Sequence, residues 1–234
     1  MKETIKKDIY NRLFNVMSKY YFEKGFELEY STATYSKEHF KVFFGATYET
    51  PTDLFFNPVF YIINESITSI LKILFKDFED DLIIHKLAGC HLAREFGIND
   101  YDYLEDQKRK IDPGITYKVG LETDLEKIVE EHTFYMERVG WLFFEKTASL
   151  KGINEYLNNR IIKYSEIEFQ SQENQTIFKR FYDKRHILSG TTAAYLVSEP
   201  NIDKLLNRYG KIFKGNDYIL KDLEKVVKYF NNPS

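Results

Sequence analysis

Histidine and cysteine are the side chains that most often hold zinc or act as nucleophile and base. Three of them crowd together at His85, Cys90 and His91. Zinc needs three or four converging ligands, and spacings such as CxxC or HExxH deliver them to one face. His85-x4-Cys90-His91 matches neither pattern. On a strand His85 and His91 would share one face and Cys90 would take the other, so Cys90 reads as a small buried hydrophobe. Adjacent Cys90 and His91 also point apart, and no third group is at hand to orient them as a thiolate pair. His132 lies on the apolar stripe of a helix and reads as a satisfied core histidine. Ser189-Gly190-Thr191 lacks the strand–turn–helix setting of a nucleophile elbow, and neither a P-loop nor Gly-x-Gly-x-x-Gly occurs. No catalytic residue, metal ligand or cofactor is assigned.

Oxygen chemistry is concentrated in residues 99–108, Asn-Asp-Tyr-Asp-Tyr-Leu-Glu-Asp-Gln-Lys. Asp100 and Asp102 have the alternate spacing of a calcium loop, but Leu104 takes the next ligand position and the turn glycine is missing. Asp106-x-Lys108 resembles half of a nuclease motif and needs a second acid from an adjoining strand. The segment reads as a charged loop in which Tyr101 and Tyr103 stand beside acids with no packing reason. Asp100, Tyr101, Asp102, Tyr103, Glu105 and Asp106 are therefore the expected contact surface. Residues 179–186 interleave bases with aromatics as single-strand binders do. On a helix, however, Phe178, Phe181 and Tyr182 turn inward and the bases outward, which is an ordinary amphipathic pattern.

The elements that would position these groups follow from periodicity. Ile5, Ile9, Leu13, Val16, Met17 and Tyr20 predict an opening helix stopped by Gly25. Period two then takes over at Phe26, Leu28 and Tyr30 and again from Phe40 to Tyr48, with residues 31–39 as a hairpin region. Residues 54–63 predict a third strand, in which Pro58 implies an edge or a bulge. Ser66 can cap a helix running to about Phe78, residues 82–96 begin as a strand, and residues 115–121 form a short one. From a Thr123/Glu126 capping box onward the pattern is helical. A helix begins near Leu150, a longer pattern is interrupted at Gly190, and helices follow over 202–212 and after Asn216. Strands first and helices afterwards specify an α+β protein: an N-terminal helix and antiparallel sheet (1–121), then a mostly helical half (122–234) packed on it as one unit.

Bulk chemistry narrows the partners. The chain has 234 residues and a net charge of −3, which supplies little of the phosphate neutralisation behind nucleic-acid affinity. Residues 1–150 carry 19 basic against 26 acidic residues, so any electrostatic preference of that part is for a basic protein surface. A lone cysteine excludes an internal disulfide. The longest apolar stretch, residues 55–63, is far short of the ~20 residues of a membrane span. No membrane association is expected, and a cytoplasmic location is. The excess of aromatics, 20 Phe and 18 Tyr against one Trp, falls mostly on strand and helix stripes that need core volume.

The helix ending at Gly25-Phe26, the strands around 40–44 and 55–63, Cys90-His91-Leu92, and the stretch from Asp124-Leu125-Glu126 to Gly140-Trp141-Leu142-Phe143-Phe144-Glu145-Lys146 carry a resemblance. Over about residues 1–160 the layout loosely resembles bacterial α+β families of unknown function, which bring no catalytic residues with them. In size and style it is also similar to immunity proteins that neutralise bacterial toxins, an analogy at the level of fold. The leading expectation is a protein acting through a binding surface, an immunity-type inhibitor of a bacterial toxin. The alternatives are a metal-dependent hydrolase or nuclease-like enzyme using the 99–108 acids, and a structural subunit of a homo-oligomer.

Overall fold

α1 (Glu3–Glu23) forms because Ile9, Leu13, Phe14, Met17 and Tyr21 recur at threes and fours and bury as one stripe. It stops where Gly25 takes φ +80°, with Gly25 N–H donating to Phe22 O and Phe26 N–H to Tyr21 O. That pair of bonds is the Schellman closure that a glycine favours. The computed structural model describes residues 2–76, 78, 82–88, 90–98, 115–163 and 184–232. Over these residues the α+β segregation holds.

β1 (Glu27–Glu29), β2 (Thr34–Lys37), β3 (Phe40–Glu49) and β4 (Asp53–Ile63) form an antiparallel meander. Leu28 faces Tyr35, Tyr35 faces Val42 and Val42 faces Phe60. The expected hairpin region 31–39 therefore contains a strand of its own, preceded by a short 3-10 turn. Its polar composition hid the alternation, yet Tyr35 is fully buried.

The expectation for Pro58 needs correction. β4 is central, with β3 on one side and β5 (Leu82–Leu87) and β6 (Tyr117–Gly120) on the other. The register shift lies at Ala46/Tyr48, not at Pro58. Proline is tolerated because β5 ends beside it. Ala88 N–H donates to Pro58 O, and Ala88 O, which Pro58 cannot serve, accepts from Ile115 N–H at 2.7 Å. The bulged Thr47 has a use as well. Its hydroxyl donates to Asn57 Oδ1 at 2.6 Å, while the Asn57 amide donates to Ile115 O and Thr116 Oγ1. All polar atoms of that buried side chain are thus matched, and the strand leading into β6 is held to the sheet.

Helix starts differ from expectation in detail. α2 (Glu65–Leu74) is capped by Asn64, which accepts from Ile67 N–H, rather than by Ser66, and it stops short of Phe78. Residues 82–96 split into β5 and the short helix α3 (Cys90–Glu95). α4 (Leu125–Tyr135) is capped by Asp124, which accepts from Glu126 and Lys127 N–H; Thr123 instead accepts from Gly120 N–H in the preceding turn. A π-helical turn (Met136–Gly140) joins α4 to α5 (Trp141–Thr147), with Trp141 N–H donating to Met136 O.

The chain divides into two compact units, Met1–Ile62 with Ile84–Glu145, and Ile63–Ile83 with Lys146–Ser234. In the first unit the inward sheet face (Tyr35, Val42, Phe44, Phe56, Phe60) meets α1 through Tyr10 and Phe14. It meets the α4–α5 region through His132, Tyr135, Phe143 and Phe144. Aromatic edge-to-face and offset pairs fill this core, which accounts for much of the phenylalanine count. Arg12 of α1 donates to the carbonyls of Gly120, Leu121 and Thr123, fixing the turn into α4.

The second unit contains α2, α6 (Leu150–Lys163), α7 (Lys184–Leu196), α8 (Ile202–Ile212) and α9 (Asp217–Asn231). Its core gathers Ile161, Ile187, Ala194, Leu205, Tyr209, Ile212 and Leu223. Gly190 does not interrupt a helix; it lies inside α7, where a Cβ would meet Asn158 Oδ1 at 2.6 Å and the Tyr209 hydroxyl at 3.2 Å. The missing side chain leaves room for Asn158 to donate to Gly190 O and to Asn154 Oδ1 while accepting from Tyr209. Among the described residues no helix is long and apolar enough to cross a membrane.

Candidate functional site

His132 sits where α4 crosses α1, with no exposed surface. Tyr21 Oη lies 2.6 Å from its Nε2 and Tyr117 Oη 3.1 Å from its Nδ1. A neutral imidazole has one donor and one acceptor nitrogen, so one tyrosine donates to the ring and the other accepts from it. Tyr20, Tyr21, Phe44 and Tyr117 pack around the ring. Burial in this aromatic shell pushes the His132 pKa down to about 3 and drives the Tyr21 hydroxyl up. Tyr21 stacks on Tyr35 at 4.3 Å, and Tyr35 donates to Phe14 O beside Ser18. This is a neutral, paired core network, as the apolar stripe implies.

At the surface the end of α1, the π-helical turn and the start of α5 build a different arrangement. Trp141 Nε1 donates to Tyr20 Oη at 2.9 Å and to Glu137 Oε1 at 3.2 Å. Tyr20 donates to the same Oε1 at 3.1 Å, and Lys24 Nζ approaches it at 3.0 Å. The Lys24 ammonium stands over both rings, 5.9 Å from Tyr20 and 5.6 Å from Trp141. These lie within the ~6 Å range of cation–π attraction. The hydrogen bond from Lys24 holds the Glu137 carboxyl below its usual range, against the opposing effect of partial burial. Burial pushes the Tyr20 hydroxyl up. The π-helical turn carries Glu137 on its first half and delivers Trp141 at its end.

Along α4 the exposed positions are Glu126, Lys127, Glu130, Glu131 and Phe134, and they lead to Glu137. Glu126, Glu130 and Phe134 are spaced four apart and share one face. Phe134 is 50% exposed with the Arg138 guanidinium 5.1 Å from its ring.

The residues singled out from sequence fare differently. Asp100, Tyr101, Asp102, Tyr103, Glu105 and Asp106 lie outside the described residues. The flanks of that segment are described. The turn after α3 passes through Gly97 (φ +75°) with Ile98 N–H donating to Ala93 O, and Ile115 N–H donates to Ala88 O. His85 falls on β5 while Cys90 and His91 fall on α3, so strand alternation does not relate them as expected. Among the described residues no group of three His, Cys, Asp or Glu converges to hold a metal ion. Ser189 and Thr191 are fully buried inside α7. Of residues 179–186 the structure describes those from Lys184, whose ammonium pairs with Asp222 at 2.6 Å. The Tyr20–Lys24–Glu137–Trp141 arrangement was missed. Glu137 and Trp141 at i, i+4 were a visible half of it, but nothing local joins them to α1, 117 residues from Tyr20 to Glu137.

Neither the protein-family models, nor the curated proteins, nor the solved structures compared contain a match to this chain.

Proposed function

We propose that this protein works by binding a basic protein partner, as an immunity-type inhibitor of a bacterial toxin does. The observation that carries the reading is the outer face of α4 and its continuation, where exposed Phe134 and half-buried Trp141 are set among Glu126, Glu130, Glu131 and Glu137, with Lys127, Arg138 and Lys24 as the bases beside them. Aromatic side chains are enriched among the few residues that dominate interface energies, and an excess of one charge sign in the acidic first part speeds encounter with a partner of the other. A toxin that grips nucleic acid must itself carry a cationic surface, which gives an acidic inhibitor its target. The acids of the 99–108 segment belong to the same acidic first part of the chain and add to this preference.

The test is affinity capture by the full chain from its native host, at ~50 and ~300 mM salt, compared with a Glu126→Lys/Glu130→Lys variant. The expected outcome is a basic protein retained at low salt, depleted at high salt and lost with the variant. Retention of the same proteins by both forms counts against the reading.

A further inference from the structure

The geometry points to a cation-recognition site in which Tyr20, Trp141 and Glu137 receive a lysine or arginine side chain of a basic partner, with Lys24 as the resident that the partner displaces. The inference rests on the binding reading above and names the chemistry of one contact within it.

The structure contains its own stand-in for the ligand. An ammonium group, that of Lys24, already occupies the position between the two rings and the carboxylate, 5.6 and 5.9 Å from the ring centroids and 3.0 Å from Glu137 Oε1. The walls are fixed before any ligand arrives. Trp141 Nε1 is bonded to both Tyr20 Oη and Glu137 Oε1, Trp141 packs against Phe26 and Phe144, and Tyr20 packs against Tyr21 and His132. Such preorganisation removes the ordering cost that otherwise weakens cation binding. The resident, by contrast, is loosely held. The Lys24 side chain is 42% exposed and that of Glu137 48%. Exposed ion pairs of this kind contribute little, so exchange for another cation is cheap.

The carboxylate also has room for the newcomer. Tyr20, Trp141 and Lys24 all converge on Oε1, and no described group donates to Oε2. An incoming guanidinium or ammonium can engage Oε2 first and then take the ring faces as Lys24 swings out on its flexible stem. Aromatic walls favour the broad, weakly hydrated guanidinium at least as much as the ammonium.

Trp141 is the one tryptophan of the chain, so its fluorescence reports this site directly. The full chain and its Lys24→Met variant are titrated with Nα-acetyl-lysine methylamide and its arginine counterpart, with the neutral norleucine analogue as control. The expected result is a saturable change with both cations and none with norleucine. Half-saturation should fall at least threefold in Lys24→Met, and the response should vanish in Lys24→Met/Glu137→Gln. No saturable change in Lys24→Met, or identical titrations of Lys24→Met and the unmodified chain, overturns the inference. Circular dichroism of each variant keeps loss of fold apart from loss of site. Capture of a basic partner without any fluorescence response retires this contact and leaves the binding reading standing. A response without a captured partner does the reverse.

Discussion

His132 shows what one buried titratable side chain does to the pH behaviour of the molecule. Its native pKa of about 3 lies below the 6.5 of an exposed histidine. Above pH ~6.5 neither state is protonated and the residue has no effect. As pH falls below that, the unfolded chain takes up a proton that the native core refuses, so stability declines until the native pKa is reached. The expected loss is about 2 kcal/mol between pH 6.5 and pH 5. Urea midpoints across that range measure it, and His132→Gln should flatten the curve while lowering its plateau. The inward position of His132 was legible from helical spacing alone. Its partners were not: Tyr21 is 111 residues away, and hydroxyl pairing leaves no periodic trace in a sequence. Gly190 gives a second residue-scale expectation. Gly190→Ala should cost roughly 1–3 kcal/mol, because Asn158 and the Tyr209 hydroxyl must both move to admit a methyl group. Thermal unfolding of the full chain reads it.

At the scale of elements, most helix and strand positions followed from period, and the departures have identifiable physical causes. Pro58 in the strand over residues 54–63 implies an edge or a bulge, because proline cannot donate in a ladder. A central strand tolerates Pro58 because β5 ends there and Ile115 takes the vacant carbonyl of Ala88. No local signal announces such a substitution of donors. β2 leaves no clear period-two signal because Thr34-Tyr35-Ser36-Lys37 is polar in composition. The strand is bracketed by Ala33 at φ +54° and Glu38 at φ +49°, a left-handed conformation that side chains disfavour. Ala33→Gly should therefore stabilise the protein by about 0.5–1 kcal/mol, where glycine in an ordinary strand or helix would weaken it. A rise in the urea midpoint with unchanged slope is the expected reading. Cap positions were displaced by a residue or two, Asn64 for Ser66 and Asp124 for Thr123. Several adjacent polar residues can each cap, and packing chooses among them.

For the whole molecule, α+β segregation and the aromatic demand of the core were open to sequence reading, since both rest on composition and period. The division of the chain was less so. The first unit takes its strands and its covering helices from two separated stretches, and that interleaving depends on long-range packing. The acidic character of the first part was evident as a count; its display beside Phe134 and Trp141 required the fold. Binding through that face is read out by site-specific photo-crosslinking. A benzophenone amino acid is placed at Phe134, 50% exposed, and, as a control, at Tyr218, 67% exposed on α9 of the second unit. The expected result is a discrete adduct to a basic protein from Phe134 that weakens with salt and is missing from Tyr218. Adducts of equal yield and identity from both positions, or none from Phe134 in the presence of the captured partner, would contradict it.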